Sequence, residues 1–188
     1  AGYASLVVVE TGSVKQYVQS MQKGLAGVDA KSGKLLWRYP KMVSRYGATI
    51  PTPLADGDLV YASANGTGGG TVRLKPNANG VSTEELYFEA KLPAAIGGAV
   101  KVGDYLYGTS AQSLLCVEFG TGKIKWEERS IGAASILTAD GLLFLHGENG
   151  DVALVEPSPE GYREKERFTP TDRPKQEKKK KKAWAYPV

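Results

Sequence analysis

Four places in this 188-residue sequence carry side chains whose types could do chemistry. The single histidine, His146, ends the apolar run LLFLH and has an unperturbed pKa suited to proton transfer near neutral pH. One imidazole excludes a metal site built on several histidines. It leaves a general acid or base, a serine–histidine pair, or a structural residue beside a hairpin, and no nucleophile-elbow pattern accompanies it. Nearby stand Glu148, Asp151 and Glu156, carboxylates of the kind that attract calcium, but GENGDVALVE lacks the regular oxygen spacing of a calcium loop and reads more simply as a solvated surface. The run NGTGGG, Asn65 to Gly70, is glycine-rich like a phosphate-binding loop. No lysine and serine or threonine follow it and no helix is expected, so it reads as a mobile connection between strands. Asn65-Gly66-Thr67 formally matches a glycosylation acceptor. Cys116, alone and set among Leu114, Leu115 and Val117, forms no internal disulfide and reads as a small buried hydrophobe. None of these residues is assigned a catalytic or metal-binding role.

Composition narrows the partners. The formal charge is +4, but Lys178, Lys179, Lys180, Lys181 and Lys182 supply five positive charges, and the remainder carries −1. A basic nucleic-acid-binding face is therefore not expected. The lysine run itself reads as a solvated loop or as a contact to an anionic surface. No apolar run approaches the roughly 20 residues needed to span a bilayer. The opening AGYASLVVVE lacks the basic start and long apolar region of a signal peptide. With 23 glycines, 10 prolines and ten tyrosines against four phenylalanines, the chain favours many short strands over long helices.

What must position these residues is a repeat. Strand ends recur at Val28-Asp29, Arg73-Leu74, Val117-Glu118 and Val155-Glu156, at offsets of 45, 44 and 38 residues. An independent marker drifts with them: Tyr61, Tyr107 and Phe144 stand 46 and 37 residues apart. Each unit reads as four short strands; in the third they are expected at 98–102, 105–110, 113–119 and 123–128. Asp56-Gly57, Gly103-Asp104, Asp140-Gly141 and Asn149-Gly150 supply the tight turns, and Ser32-Gly33 and Thr121-Gly122 suit a longer turn with a glycine bulge. A four-stranded antiparallel unit leaves a face unburied, and stacking neighbours around an axis buries it. The expectation is all-β, a β-propeller of four-stranded antiparallel blades with about four blades present. The blades are expected at 1–39, 40–89, 90–129 and 130–169. A basic flexible loop would follow at 170–182, and 183–188 (AWAYPV) would open a further blade. The pattern thus suits part of a ring or a ring completed by self-association. The small apolar segments IPTPLA, IGGAV and GAASIL are expected to line the central channel.

Two segments are near copies, GLAGVDAKSGKLLWRY and SLLCVEFGTGKIKWEERS, with Gly33 four residues before Trp37 and Gly122 four before Trp126. A large ring on an outer strand covers the backbone of the adjacent blade, so Gly33, Trp37, Gly122 and Trp126 are read as structural docking residues. These segments resemble the tryptophan docking repeat, A-x-D-x-x-T-G-K-x-x-W, of the pyrroloquinoline-quinone-like (quinoprotein-type) β-propeller family. Gly27 stands where the family usually has alanine, and Glu118 takes the acidic place of the second copy. RLKPNANGVSTEELYF and LVEPSPEGYREKERF are degenerate copies, with Tyr87 or Phe88 and Phe168 in the tryptophan's place. The resemblance implies a bacterial periplasmic or extracellular location and two functional classes. One is a non-catalytic scaffold that binds protein partners and carries no cofactor. The other is a quinone-dependent alcohol or sugar dehydrogenase using pyrroloquinoline quinone with calcium, many members of which have a pair of adjacent cysteines that this chain lacks. A third reading is a self-assembling module in which AWAYPV pairs with the ASLVVVE edge of another copy. The missing cysteine pair and the scarcity of proton-transfer groups favour the scaffold.

Overall fold

The computed structural model describes residues 2–78 and 80–171. The alternation of β-branched, aromatic and small residues between turns builds sixteen strands, and there is no helix among the described residues. They form four separate sheets, each a simple antiparallel meander in chain order. The first holds β1 (Val7–Thr11), β2 (Val14–Met21), β3 (Gly24–Asp29) and β4 (Leu35–Tyr39). The second holds β5 (Leu54–Asp56), β6 (Leu59–Ala64), β7 (Gly68–Asn77) and β8 (Gly80–Glu89). The third holds β9 (Ala99–Val102), β10 (Tyr105–Thr109), β11 (Ser113–Glu118) and β12 (Ile124–Arg129), each within one residue of its expected range. The fourth holds β13 (Ala134–Ala139), β14 (Leu142–Gly147), β15 (Val152–Val155) and β16 (Glu164–Phe168). The architecture is the expected all-β stack of blades. The strand expected at 183–188 and the basic loop at 170–182, apart from its first two residues, lie outside the described residues.

Every sheet carries a one-residue register shift at the same place, between its third and fourth strands: at Gly27/Val28, Thr71/Val72, Cys116/Val117 and Leu154/Val155. Such a bulge adds twist and re-aims the side chain beside it. The residues that face the shift are Trp37, Tyr87, Trp126 and Glu166. Tyr87 rather than Phe88 therefore takes the tryptophan's place in the second sheet. In the fourth the place belongs to Glu166, and Phe168, expected there, lies two residues further along the strand.

Alternation along each strand gives every sheet two faces, and the faces are buried in sequence. Val9, Val18, Leu25 and Trp37 of the first sheet form one core with Val60, Ala62, Val72 and Leu74 of the second. Tyr61 of the second packs with Leu106, Leu115 and Val117 of the third. Tyr107, Leu114 and Cys116 of the third pack with Ile136, Leu143, Leu145 and Val155 of the fourth. Among the described residues no such core joins the fourth sheet to the first. Polar links reinforce the joints: Tyr39 donates its hydroxyl to Glu85, which also pairs with Lys41 at 2.8 Å, and Lys101 pairs with Asp56 at 2.9 Å.

Close backbone approach explains the glycine run. Gly68, Gly69 and Gly70 belong to buried β7 and are not the expected mobile connection; a Cβ on Gly69 would stand 2.2 Å from the Tyr61 hydroxyl and one on Gly70 2.3 Å from the Tyr87 carbonyl oxygen. The same reasoning accounts for Gly27, where the family pattern has alanine: a Cβ there would come within 2.4 Å of the Trp37 indole. We expect Gly27→Ala to cost about 1–3 kcal/mol through overpacking, read as a lowered urea midpoint. An unchanged midpoint would contradict the tight seating of Trp37.

Candidate functional site

The β2–β3-type hairpins and the segments joining one sheet to the next gather at the same end of the stack. There they enclose a groove of about 1070 Å³. Its floor and walls come from Tyr46, Ala48 and Ile50 of the first connector, Asn65–Gly68 of the β6–β7 hairpin, and residues 90–92 and 94–96 of the second connector. Ser110–Ser113 of the β10–β11 hairpin, Arg129, Ala133 and Glu148 complete it. Ile50, Ile96 and Ala133 come from the three small apolar segments expected to face the axis.

The walls are held by specific bonds. The first connector is strapped to the hairpin below it: Thr67 donates to the Val43 carbonyl, Ser44 donates to the Asn65 carbonyl at 3.4 Å, and the Tyr46 ring covers Gly66. The second is pinned by the buried Tyr61 hydroxyl, which donates to the Pro93 carbonyl at 2.6 Å, and by the Ala95 amide donating to the Thr109 carbonyl at 3.0 Å. Thr109 then reaches the fourth sheet, its hydroxyl exchanging bonds with the Ala134 carbonyl at 3.2 Å and the Ala134 amide at 3.1 Å. Arg129 leans on Gln112 at 3.4 Å. The charges in the groove are mixed, Lys91 and Arg129 against Glu127 and Glu148. Such a lining offers hydrogen bonds and both signs of charge to an extended backbone, and no single-signed field for an anion.

The residues singled out by type do not converge. His146 lies on β14, paired in register with Ser135 and Val152. Of the three carboxylates, Glu148 borders the groove, Asp151 sits in its own turn with Asn149 and Thr169, and Glu156 is bonded to Arg163 and Lys165, which hold it below the usual carboxylate range. Cys116 is fully buried, and burial pushes its thiol up. No group of three or more His, Cys, Asp or Glu residues that could hold a metal ion occurs among the described residues.

The four residues read as docking positions differ in what they touch. Gly122, in its left-handed turn at φ 75°, lies under the ring of Tyr87 from the preceding sheet, whose hydroxyl donates to the Phe119 carbonyl at 2.8 Å. Trp126 reaches the fourth sheet, donating its indole N–H to the Ser158 carbonyl at 2.7 Å and meeting Tyr107 and Tyr162 at ring distances of 6.1 Å. Trp37 instead donates to Gln16 of its own sheet at 2.6 Å, and the bulged Leu36 approaches Gly80 of the second. Gly33 has no neighbour within 4 Å of a would-be Cβ. The sequence reading left this place open between Tyr87 and Phe88, because neighbouring aromatic residues on one strand differ only in the face that the register shift gives them.

Comparison with known proteins places this geometry in a family. The family described as outer membrane protein assembly factor BamB matches residues 3–128. Among solved structures the chain is similar to BamB from Moraxella catarrhalis, at 13% identity and TM-score 0.67, over 90% of this chain and 50% of that one. It is similar to a europium-containing methanol dehydrogenase, at 14% identity and TM-score 0.58, over 88% and 41%. It is also similar to the computationally designed Ika4 protein, at 10% identity and TM-score 0.56, over 80% and 90%. The chain thus spans about half the length of the solved BamB chain, and likenesses at these identities concern the fold alone. No curated protein matches the sequence closely. No helix among the described residues is long and apolar enough to cross a membrane.

Two outcomes test the joints. Trp126→Phe keeps the ring but strands the Ser158 carbonyl, and should cost about 1–2 kcal/mol in chemical denaturation. Burial pushes the Tyr87 phenol up to about 12, whereas an unfolded tyrosine ionises near 10. The unfolded chain therefore loses its proton first, so stability present below pH 10 should fall as pH rises towards 12. Tyr87→Phe should be less stable at pH 7 yet lose stability less steeply across that window; equal slopes would show that Tyr87 does not contribute.

Proposed function

The chain belongs to the family described as outer membrane protein assembly factor BamB, and from that premise we propose that it is a non-catalytic scaffold of the cell envelope. It works outside the cytoplasmic membrane, in the periplasm or at the cell surface, and binds a protein partner without a cofactor. The observation that carries this reading is the groove: connectors and hairpins from successive sheets bring Lys91, Gln112, Glu127, Arg129 and Glu148 around one concave surface. Loops held on a rigid sheet scaffold are where propellers place their contacts. A segment of extended chain entering there meets backbone carbonyls, amides and charges of both signs, which suits recognition of a peptide backbone with alternating side-chain pockets. In this reading Gly33, Trp37, Gly122 and Trp126 serve the scaffold and touch no partner. Lys178 to Lys182 would add an anionic surface contact beyond the groove.

Site-specific photocrosslinking in cells separates this reading from the dehydrogenase. A photoreactive residue at Gln112 or Lys91 should give a discrete crosslinked band, identified by mass spectrometry as one envelope protein. The same residue at Lys75, exposed on the long β7–β8 hairpin, should give none. Equal crosslinking from both positions, or dye reduction by the purified protein with alcohols, pyrroloquinoline quinone and calcium, would overturn the scaffold reading.

A further inference from the structure

Asparagine followed by glycine is chemically labile. No side chain shields the glycine amide nitrogen, and the conformational freedom of glycine lets that nitrogen approach the asparagine carboxamide. The sequence holds three such pairs, at Asn65-Gly66, Asn79-Gly80 and Asn149-Gly150. Asn79 lies outside the described residues. The other two pairs occupy corresponding hairpins, β6–β7 and β14–β15, and the fold treats them in opposite ways.

Asn149 is locked. Its carboxamide donates to the Asp151 carboxylate at 2.7 Å and accepts from the Asp151 amide at 3.0 Å, while the Gly150 amide donates to the Gly147 carbonyl at 2.8 Å. Attack of Gly150 on Asn149 has to break these bonds first. Asn65 carries no such lock. Its turn is closed by the Thr67 amide, which donates to the Ala64 carbonyl at 3.0 Å and leaves the Gly66 amide outside the turn's own bond. Among the described residues neither that amide nor the Asn65 carboxamide has a hydrogen-bond partner; only the main-chain carbonyl of Asn65 is engaged, by the Ser44 hydroxyl. Gly66 is exposed at φ 79° and the half-buried Asn65 borders the groove, so water reaches both.

We propose that Asn65 is a modification site: in the folded protein it converts, with water as the only co-reactant, to aspartate and isoaspartate. The Gly66 nitrogen gives its proton to solvent and attacks the Asn65 carboxamide carbon. A new carbon–nitrogen bond closes a five-membered succinimide as the side-chain carbon–nitrogen bond breaks and ammonia leaves. Water then opens the ring at either carbonyl, so the balance is one water consumed and one ammonia released, with no change of oxidation state. The consequence falls on the groove. A carboxylate joins Glu127 and Glu148 there and tips the mixed lining towards negative charge. In the isoaspartate form the main chain runs through the former side chain and gains a methylene, and the carbonyl that Ser44 holds leaves the backbone as the free carboxylate. That loosens the tie between the hairpin and the first connector. The inference rests on the chemistry of this turn and not on what the groove binds.

Incubation of the folded chain in mildly alkaline buffer, followed by peptide mass spectrometry, decides it. Asn65 should convert at least about tenfold faster than Asn149, whose bonds hold the reactive geometry closed. In urea that unfolds the chain the two rates should converge to within about threefold, because both residues precede glycine. A smaller ratio in the folded protein denies the open turn, and a gap that persists in urea assigns the difference to neighbouring residues; either result overturns the proposal. A second measurement reads the groove. The isoaspartate form, separated from the parent by charge, should be cut by trypsin at the exposed Arg45 of the first connector at least about threefold faster than the parent. Equal cleavage would refute the loosening of the connector.

Discussion

The structure depends on one constraint: an antiparallel sheet of four short strands cannot bury both of its faces alone. Among the described residues each inner face is dried by the neighbouring sheet, and at about 25 cal/mol for each Å² of apolar surface removed from water this is the dominant favourable term. The three cores are built almost wholly from side chains that alternate along β-strands, and each draws on two consecutive sheets. Hydrogen bonding within the meanders sets the shape of each layer. Burial between layers sets their order.

The bulge shared by all four sheets shows how the layers are keyed. It leaves one outer-strand side chain per sheet facing the shift, and the chemistry at that position varies while its place does not: indole in two sheets, phenol in one, carboxylate in the last. The indole of Trp126 and the phenol of Tyr87 both donate to a backbone carbonyl of the following sheet. A large apolar ring with one polar donor satisfies a carbonyl that the joint would otherwise strand. Trp37 satisfies its own donor locally, through Gln16, which in turn donates to Thr11 at 3.0 Å.

Much of this was legible in the residues, and the limits are physical. The repeat, the strands of the third sheet and the all-β stack follow from period-two alternation and from turn residues with few alternatives. The place of Phe168 was misread because a one-residue register shift is invisible in a string of alternating charges such as EKERF. NGTGGG was misread because glycine serves both loose turns and close backbone contacts, and only the Tyr61 hydroxyl and the Tyr87 carbonyl distinguish them. The groove had little signature: its residues lie on hairpins, connectors and the end of β12, and their proximity is a product of the stack. Ile50, Ile96 and Ala133 alone were foreshadowed, by the small apolar segments that contain them.

Among the described residues the cores run from each layer to its neighbour, which makes this stack one-dimensional in its energetics. Stability in such a chain is close to a sum over layers and joints, so opening begins where a layer has one neighbour rather than two. The amide protons of β10 and β11, and of β6 and β7, then exchange with solvent slowest, and those of β1 and β16 fastest. Any ligand that bridges the ends raises protection across the whole array, not merely where it touches.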